Sequence, residues 1–351
     1  MLEIKQRSLD ECDWNAMDGF ADRFVTQSRE WLQFIVETQG AQPIIASIHD
    51  GHSTVGYFTG LLARRYGLRI LGSPLPGWST AYHGFNLLPG VSRADALTAL
   101  LPFAFRELGA HHIELRDRSL VESDIRDPRC HVETFTTYDV DLSGTEDEVF
   151  GAFSSACRRA IRRSEKIGLI VEEAEPEGFA EEYYAQLEDV FAKQNLRPTY
   201  GVDRVQSLVR HMHPSGRLLL LRARDPEGNA IATGLFPALV STMFFWGGAS
   251  FQSGQHHRPN EAIFWHALRY WKQRGATTFD LGGGGDYKRK FGGREITIPH
   301  VARPRVEVLW YLREWMRRRN DPDNPSSRLR SSPPRQGGTG GAGSAADHAE
   351  D

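Results

Sequence analysis

The sequence has little cysteine and no long apolar run. Its 351 residues include 3 cysteines, which stand far apart at Cys12, Cys130 and Cys157. An odd number of scattered cysteines argues against a disulfide framework and suits a reducing compartment. No stretch approaches the roughly 20 apolar residues of a membrane-spanning helix, and the first residues lack the apolar run of a signal peptide. We therefore expect a cytoplasmic protein with no transmembrane segment.

An excess of charge of one sign is also missing. The chain carries 42 Lys plus Arg against 45 Asp plus Glu, a net charge of −3, which excludes a general polyanion binder. Hydrophobic residues make up 40% and charged residues 25%, so wholly disordered, collagenous and coiled-coil chains are excluded as well. At roughly 150 residues per domain, the length predicts two domains.

The last 32 residues, 320–351, have almost no apolar side chains. They contain one Leu and no aromatic residue, and they are rich in Gly, Pro and Ser. Such a segment cannot bury enough apolar surface to offset its chain entropy. We expect residues 320–351 to form a disordered tail.

The rest of the chain contains an internal repeat. Gly109-Ala-His-His-Ile-Glu-Leu115 is similar to Gly275-Ala-Thr-Thr-Phe-Asp-Leu281, and each follows an amphipathic segment, residues 92–108 or 260–274. Apolar residues at helical spacing predict a helix in each segment. Both glycines stand where the end of a helix favours a positive φ.

A hairpin precedes each of these helices. An Asp-Gly turn joins two strands within residues 44–62, and a Pro-Glu-Gly turn joins two strands within residues 218–236; both are common hairpin turns. A third strand follows in each half, at residues 68–71 and 242–247. The order strand, strand, strand, helix, strand thus occurs twice, which predicts a duplicated unit.

The two copies meet near residue 142. Thr145 and Glu148 have the spacing of a capping box, so a helix begins there. We predict an N-terminal domain at 1–142 and a C-terminal domain at 143–319, with the active site in the second.

Three motifs are more specific than the repeat. The first is the basic run Ala156-Cys-Arg-Arg-Ala-Ile-Arg-Arg-Ser-Glu-Lys-Ile-Gly168, the second is Arg258-Pro-Asn-Glu-Ala262, and the third is Phe279-Asp-Leu-Gly-Gly-Gly-Gly-Asp-Tyr-Lys-Arg-Lys-Phe-Gly-Gly293. With the duplication, they resemble the FemABX-like aminoacyltransferases and related GNAT-superfamily acyltransferases. The resemblance implies an α/β (α+β) fold of two tandem GNAT-like domains, each a mixed sheet flanked by helices.

Members of this superfamily move an acyl group onto an amine. Lys288, which follows Tyr287, matches the Lys that follows an aromatic residue in the family motif. The resemblance implies that Lys288 stabilises the transition state, because a fixed cation would meet the negative charge on the donor carbonyl. A solvated lysine is the alternative. We predict Lys288 and Tyr287 as catalytic residues, and Arg289 and Lys290 as substrate contacts in the same basic stretch.

Two carboxylates stand at predicted strand ends. Asp280 precedes four glycines, and in a catalytic role it would accept a proton from the amine or orient it. Its repeat counterpart is Glu114, so a shared structural role is the alternative. Asp117 follows the matching strand of the first half and is predicted to hold the acceptor.

The basic run places its cations along one helix face, at Arg158, Arg159, Arg162, Arg163 and Lys166. A solvated face is one explanation of such a run. The other is contact with the phosphates of a nucleotide-linked acceptor or of tRNA. On the second explanation, Arg158 and Arg162 bind substrate.

Two further pairs are predicted to bind substrate. Arg197 and Tyr200 match the spacing of the family's acceptor-binding Arg and Tyr, and Arg suits phosphate through its bidentate fork. A loop arginine and a packed tyrosine are the alternative. Arg258 and Asn260 open the helix that faces the donor in folds of this kind.

The sequence departs from the family in two places. No Lys follows Gln27-Ser-Arg-Glu-Trp31, where the family usually has one, which counts against the usual muropeptide acceptor. Residues 252–260 also lack the glycine spacing of a loop that binds the pyrophosphate of CoA. Three histidine pairs lack the spacing of metal ligands, so we expect no metal.

These observations predict an acyl- or aminoacyltransferase that acts on an amine acceptor in cell-wall (peptidoglycan) or surface-polysaccharide synthesis. The donor co-substrate is aminoacyl-tRNA or acyl-CoA, and no cofactor is permanently bound. The basic helix and the missing CoA loop favour tRNA. A lipid-linked acceptor would require peripheral contact with a membrane. The alternatives are an acyl-CoA-dependent N-acetyltransferase and a non-catalytic double GNAT module that binds a precursor or a partner protein.

Overall fold

The computed structural model describes residues 2–311, apart from residues 66, 76, 78, 193, 194 and 284. The chain divides into two units at residue 305, and residues 1–305 are the compact one. In the second unit the described part is 306–311, of which 307–311 are helical. The predicted tail at 320–351 and the last residues of the predicted second domain lie outside the described residues.

The first half of the chain forms seven strands and three α-helices among its described residues. In chain order they are β1 (Glu3–Arg7), α1 (Trp14–Asp18), α2 (Arg29–Gln39), β2 (Gln42–Asp50), β3 (Ser53–Arg65), β4 (Leu68–Ser73), β5 (Gly84–Leu87), α3 (Arg93–Pro102), β6 (His112–Leu115) and β7 (His131–Asp141).

Among its described residues up to 305, the second half adds seven strands and five α-helices. They are α4 (Glu146–Ala152), α5 (Ser155–Lys166), β8 (Ile170–Glu173), α6 (Phe179–Ala192), α7 (Val202–Met212), β9 (Leu218–Arg224), β10 (Ala230–Leu239), β11 (Thr242–Phe244), β12 (Gly247–Ser250), α8 (Pro259–Gln273), β13 (Thr278–Gly283) and β14 (Arg294–Pro304). A 3₁₀ segment, Asp286–Phe291, lies between β13 and β14.

The predicted repeat is confirmed by the strand pairing. β2, β3, β4 and β6 pair in that order as antiparallel, antiparallel and parallel neighbours. β9, β10, β11 and β13 repeat the same pattern. The glycines that end the two helical segments have positive φ, 60° at Gly109 and 94° at Gly275, and the capping box of Thr145 and Glu148 begins α4.

Some details of each copy differ from the prediction. The helix expected at 92–108 is α-helical only to Pro102 and continues as a π-helical turn, Phe103–Glu107. Each copy also has a short additional strand, since β5 pairs with β3 and β12 pairs with β10. In both copies, therefore, the chain that follows the third strand (β4 or β11) turns back and pairs with the second strand (β3 or β10).

The two copies exchange their last strands. β14, from the second half, pairs with β6 of the first half, and β7, from the first half, pairs with β13 of the second. β7 and β14 also pair with each other, from Arg294 opposite Asp139 to Ala302 opposite His131. The described strands thus form one 14-stranded sheet, and residues 1–305 are one compact unit.

Within the described residues, the apolar core has one cluster in each copy and one cluster that the two copies share. One cluster packs under the first copy, around Phe58 and Phe103, and another under the second copy, around Phe236 and Phe279. A third cluster combines residues of both copies, including Trp31 of α2 and Leu208 of α7. The exchanged strand β14 contributes to two of them, because Ile298 lies in the shared cluster and Val301 in the first.

Strand exchange predicts that the first half does not fold without the second. A fragment of residues 1–142 lacks β13 and β14, so β7 loses both of its neighbouring strands and β6 loses one of its two. We expect this fragment to be insoluble or to show no cooperative thermal transition by circular dichroism. Co-expression with residues 143–351 should restore both solubility and the transition. A sharp transition for the fragment alone would show instead that residue 142 ends an independent domain, as predicted from the sequence.

Candidate active site

The candidate site forms where two parallel strands separate. β11 pairs with β13 as far as Phe244, which lies opposite Asp280. The Phe245 N–H still donates to the Asp280 carbonyl at 2.9 Å, but the Trp246 N–H donates to a carbonyl of β10. β13 continues to Gly283 after a register shift against β7. A notch therefore opens beside the last residues of β13.

Asp280 lies beneath this notch and is fully buried, with 0% of its surface exposed. Its Oδ1 accepts hydrogen bonds from the Thr137 hydroxyl and the Gly282 N–H, both at 2.7 Å. Its Oδ2 accepts one from Arg118 Nε at 3.2 Å. These bonds use three of the roughly four lone-pair positions of a carboxylate. Asp280 is therefore held in one orientation by its neighbours.

Arg118 bridges Asp280 to a second carboxylate, because its Nη2 donates to Asp139 Oδ2 at 2.5 Å. Burial lowers the pKa of Arg118, but Asp280 and Asp139 together raise it above its ordinary value. Burial raises the pKa of the Asp139 carboxyl, against the effect of Arg118. Since Arg118 follows β6 and Asp280 lies in β13, this ion cluster joins the two copies.

Lys288 lies in the 3₁₀ segment and is 5% exposed. Its Nζ donates to the carbonyls of Gly282 at 3.1 Å and Gly283 at 2.8 Å. Burial lowers the pKa of Lys288 to about 8, an effect that Asp280 partly opposes. An ammonium group has three N–H donors, so one is left for a ligand. Tyr287, 54% exposed, has its ring centre 5.8 Å from the ammonium.

The structure thus brings together the three residues predicted to be catalytic. It also adds four that were not predicted, and all of them come from the first half: Tyr82, Arg118, Thr137 and Asp139. The repeat contained a signal for Arg118, because its position in the first copy corresponds to the position directly after β13 in the second. Tyr82, Thr137 and Asp139 have no local motif, since a long-range strand pairing places Thr137 and Asp139.

The Tyr82 hydroxyl is buried and has no hydrogen-bond partner among the described residues. Burial raises the pKa of Tyr82 well above its ordinary value, and the nearby charge of Asp280 raises it further. Tyr82 therefore stays protonated and offers an O–H donor close to Asp280.

The Asp117 carboxylate forms its hydrogen bonds with residues of the first copy. Its carboxylate accepts from the Phe85 N–H at 2.7 Å, the Ser119 N–H at 2.8 Å and Arg93 Nε at 3.3 Å. These bonds fix β5 against the end of β6, which is a structural function. Binding of the acceptor by Asp117 stays a prediction.

The basic residues next to Lys288 have carboxylate partners. Arg289 donates to Glu295 and Lys290 donates to Glu261, each at 2.8 Å. In α5, Arg158 donates to the backbone carbonyls of Gly151 and Phe153. Arg162 is exposed, with its guanidinium 5.4 Å from the ring centre of Phe150.

The remaining predicted contacts lie near the surface. Arg258 and Asn260 are exposed at the beginning of α8, where Arg258 has a left-handed backbone (φ 61°). Arg197 is exposed, and the Tyr200 hydroxyl lies 3.0 Å from the Tyr183 hydroxyl. Substrate binding by these residues stays a prediction.

Comparison with known proteins agrees with this architecture. A family model described as an acetyltransferase (GNAT) domain matches residues 152–289, which include α5, α8 and Lys288. No curated protein sequence matches the chain.

Solved structures are similar over most of the chain. FemX aligns with a TM-score of 0.72 and 14% identity, covering 88% of this chain and 99% of that one. A conserved protein of unknown function from Bacteroides thetaiotaomicron aligns at 0.55 and 13%, covering 87% and 100%. The C-terminal domain of a protein named as a lysylphosphatidylglycerol synthetase, from Agrobacterium fabrum, aligns at 0.52 and 13%, covering 81% and 90%.

The chain therefore has a FemX-like GNAT fold, as the sequence predicted. At these identities the likeness concerns the fold alone. Within the part of the chain that the structure describes, no helix has the length and apolar character needed to cross a membrane.

The buried ammonium of Lys288 predicts a specific dependence of stability on pH. Its pKa is about 8 in the folded protein against 10.5 for an exposed lysine, so the unfolded chain binds more protons between these values. The contribution of Lys288 to the free energy of unfolding therefore increases as the pH rises from about 8 to 10.5. We expect the free energy of unfolding of wild type, relative to Lys288→Met, to increase by about 1–3 kcal/mol over this range. Urea unfolding at several pH values measures it, and parallel curves would contradict it.

Proposed function

We propose that the protein transfers an acyl or aminoacyl group to an amine, with Lys288 at the reacting centre. The observation that carries this proposal is the geometry of its ammonium group. Two N–H donors are bound to the carbonyls of Gly282 and Gly283, which fixes the direction of the third. A fixed donor of this kind can stabilise the oxyanion of a tetrahedral intermediate.

The reaction requires no covalent intermediate with the protein. The amine nitrogen attacks the acyl carbon, and the C–O bond to tRNA or the C–S bond to CoA breaks. The proton lost by the amine leaves with the departing oxygen or sulfur. We assign Lys288 the role of stabilising the developing oxyanion. We assign Tyr287 the role of covering the ammonium group and the bound donor.

We assign Asp280 a positioning role. Its carboxylate is buried and already accepts from Thr137, Gly282 and Arg118, so direct contact with the amine is disfavoured. By holding the Gly282 N–H, it fixes the residue whose carbonyl binds Lys288. Its negative charge also favours the protonated form of Lys288.

The first candidate donor is an aminoacyl-tRNA. On α5 the side chains of Arg159, Arg162, Arg163 and Lys166 are exposed, and no carboxylate of the described residues forms an ion pair with them. α5 also adjoins the Lys288 segment, since the Ser154 N–H donates to the Lys290 carbonyl at 2.8 Å. An uncompensated basic face beside the reacting centre suits a polyphosphate backbone.

The second candidate donor is an acyl-CoA. α8 begins at Pro259 with no side chain capping its first turn, so free N–H groups are available to an anion such as pyrophosphate. Arg258 and Asn260 are exposed at the same end. The family model that matches this region describes acetyltransferases.

For the acceptor, we propose an amine on a cell-wall or surface-polysaccharide precursor. The FemX-like fold supports this class, and the exposed Arg197 and the neighbouring Tyr200 are available to bind it. A cytoplasmic location follows from the proposal, because charged tRNA and acyl-CoA are made there. With a lipid-linked acceptor, the protein would contact the membrane surface only peripherally.

A donor test separates the candidates. Purified protein is incubated with acetyl-CoA or with charged tRNA, and both deacylation and the thermal transition are followed. We expect charged tRNA to be deacylated faster in the presence of an amine acceptor, with the effect weakened by salt. A response to acetyl-CoA alone would refute the tRNA donor. No response to either donor, with binding of glycan precursors retained, would favour a non-catalytic module.

Loss of Lys288 should reduce turnover more than binding. We expect Lys288→Ala to lower kcat about 100- to 1000-fold, as is usual for the loss of one oxyanion donor, with a smaller change in KM. Lys272 offers a matched control, because its ammonium also donates to two backbone carbonyls, those of Leu142 and Gly144. Lys272→Ala should retain kcat within about threefold of wild type. A loss of less than about tenfold in Lys288→Ala, in a folded protein, would exclude the assigned role.

A further inference from the structure

Arg116 lies beside the candidate active site with its backbone fixed. It follows β6 directly, its N–H donates to the Ser73 carbonyl at 2.7 Å, and its carbonyl accepts from the His83 N–H at 3.2 Å. These bonds attach it to the end of β4 and to the segment before β5. The side chain is half-buried, and its guanidinium carbon lies 4.0 Å from the ring centre of Phe135.

Phe135 connects Arg116 to the reacting centre. Its ring packs on the backbone of Gly283 so closely that a Cβ there would lie 2.6 Å from Phe135 Cζ. The carbonyl of this same Gly283 binds the Lys288 ammonium at 2.8 Å. One aromatic ring and one peptide group therefore separate the guanidinium of Arg116 from the ammonium of Lys288.

The charge of Arg116 is not compensated within the described residues. It has no carboxylate in ion-pair contact, its Nε is buried without a hydrogen-bond partner, and its Nη1 has a long bond of 3.4 Å to the Ala81 carbonyl. Burial lowers the pKa of Arg116. The charges of Glu114 and Glu133 oppose this effect, but neither carboxylate forms an ion pair with the guanidinium.

Several other buried or half-buried arginines of the described residues have carboxylate partners. Arg23 pairs with Asp18, Arg93 with Asp22 and Asp117, and Arg118 with Asp139 and Asp280. A half-buried cation without a counter-charge costs free energy. A guanidinium held over an aromatic ring can still donate N–H groups at its edge to a planar or tetrahedral oxyanion.

We propose that Arg116 forms a subsite for an anionic oxygen group, a carboxylate or a phosphate, carried by the amine acceptor. The identification of the ligand as the acceptor rests on the proposed function, whereas the anion subsite itself does not. The acceptor would then carry its negative charge across the Phe135 ring from the reacting centre at Lys288, and amines without such a charge would be poor substrates.

Anion binding tests the subsite without any acyl donor. Wild type, Arg116→Gln and Arg274→Gln are titrated with inorganic phosphate and with succinate at constant ionic strength, and the thermal transition and tryptophan fluorescence are recorded. Arg274 is a matched control, since its guanidinium lies 3.5 Å from the Tyr270 ring centre and donates to a backbone carbonyl at 3.2 Å, outside the cleft.

We expect phosphate or succinate to stabilise wild type and Arg274→Gln, and the dissociation constant to rise at least tenfold in Arg116→Gln. The preferred anion distinguishes a phosphate from a carboxylate acceptor. Without added anion, Arg116→Gln should be at least as stable as wild type, because an uncompensated charge has been removed. Equal affinity in wild type and Arg116→Gln, or no binding to wild type, would overturn the proposal. Anion binding that depends on Arg116, in a protein with no transferase activity, would refute the proposed function and leave the subsite standing.

Discussion

Arg118 lies between two carboxylates, Asp280 and Asp139, that come from neighbouring strands, and the position of the reacting centre depends on this contact. The strand β13 comes from one copy of the repeat, whereas Arg118 and the exchanged strand β7 come from the other. Removing one member of such a buried cluster leaves an uncompensated charge, which costs about 3–5 kcal/mol. Because Asp280 also holds Gly282, and Gly282 binds Lys288, the electrostatic contact between the copies determines where the ammonium group lies.

The same position in the first copy has different chemistry. Glu114 is the counterpart of Asp280, but its carboxylate lies between two histidines, 2.8 Å from His112 Nε2 and 2.9 Å from His300 Nε2. The residues that follow β6 are Arg116, Asp117 and Arg118, where β13 is followed by glycines. Among the described residues, a lysine bound to the backbone carbonyls at the end of the strand occurs in the second copy and not in the first. The first copy supplies charged and aromatic side chains to the reacting centre, whereas Lys288 itself lies in the second copy.

Local patterns were sufficient to predict much of this protein. Turn residues, helical periodicity and the two glycines at Gly109 and Gly275 predicted the repeated elements, because each depends on neighbours within a few positions. The dense motif around Lys288 singled out Lys288 and Tyr287 for the same reason, and their catalytic roles stay predictions. The exchange of β7 and β14 could not be predicted, since both strands would fit either copy and only three-dimensional packing selects one. The same limit explains why Tyr82, Thr137 and Asp139 were missed. They come close to Asp280 only when segments more than 100 positions apart fold together; Thr137 and Asp280, for example, are 143 positions apart.

Strand exchange also has a consequence for synthesis on the ribosome. β6 ends at Leu115, and its neighbour β14 begins at Arg294, so about 180 residues must be added before the pairing can form. At roughly 5–20 residues per second, this takes about 10–35 s. During that time β6 has an unpaired edge, which is the kind of edge that associates with other chains. The nascent protein is therefore most exposed to aggregation while its second copy is being made, and chaperones that shield unpaired strands would act in this interval.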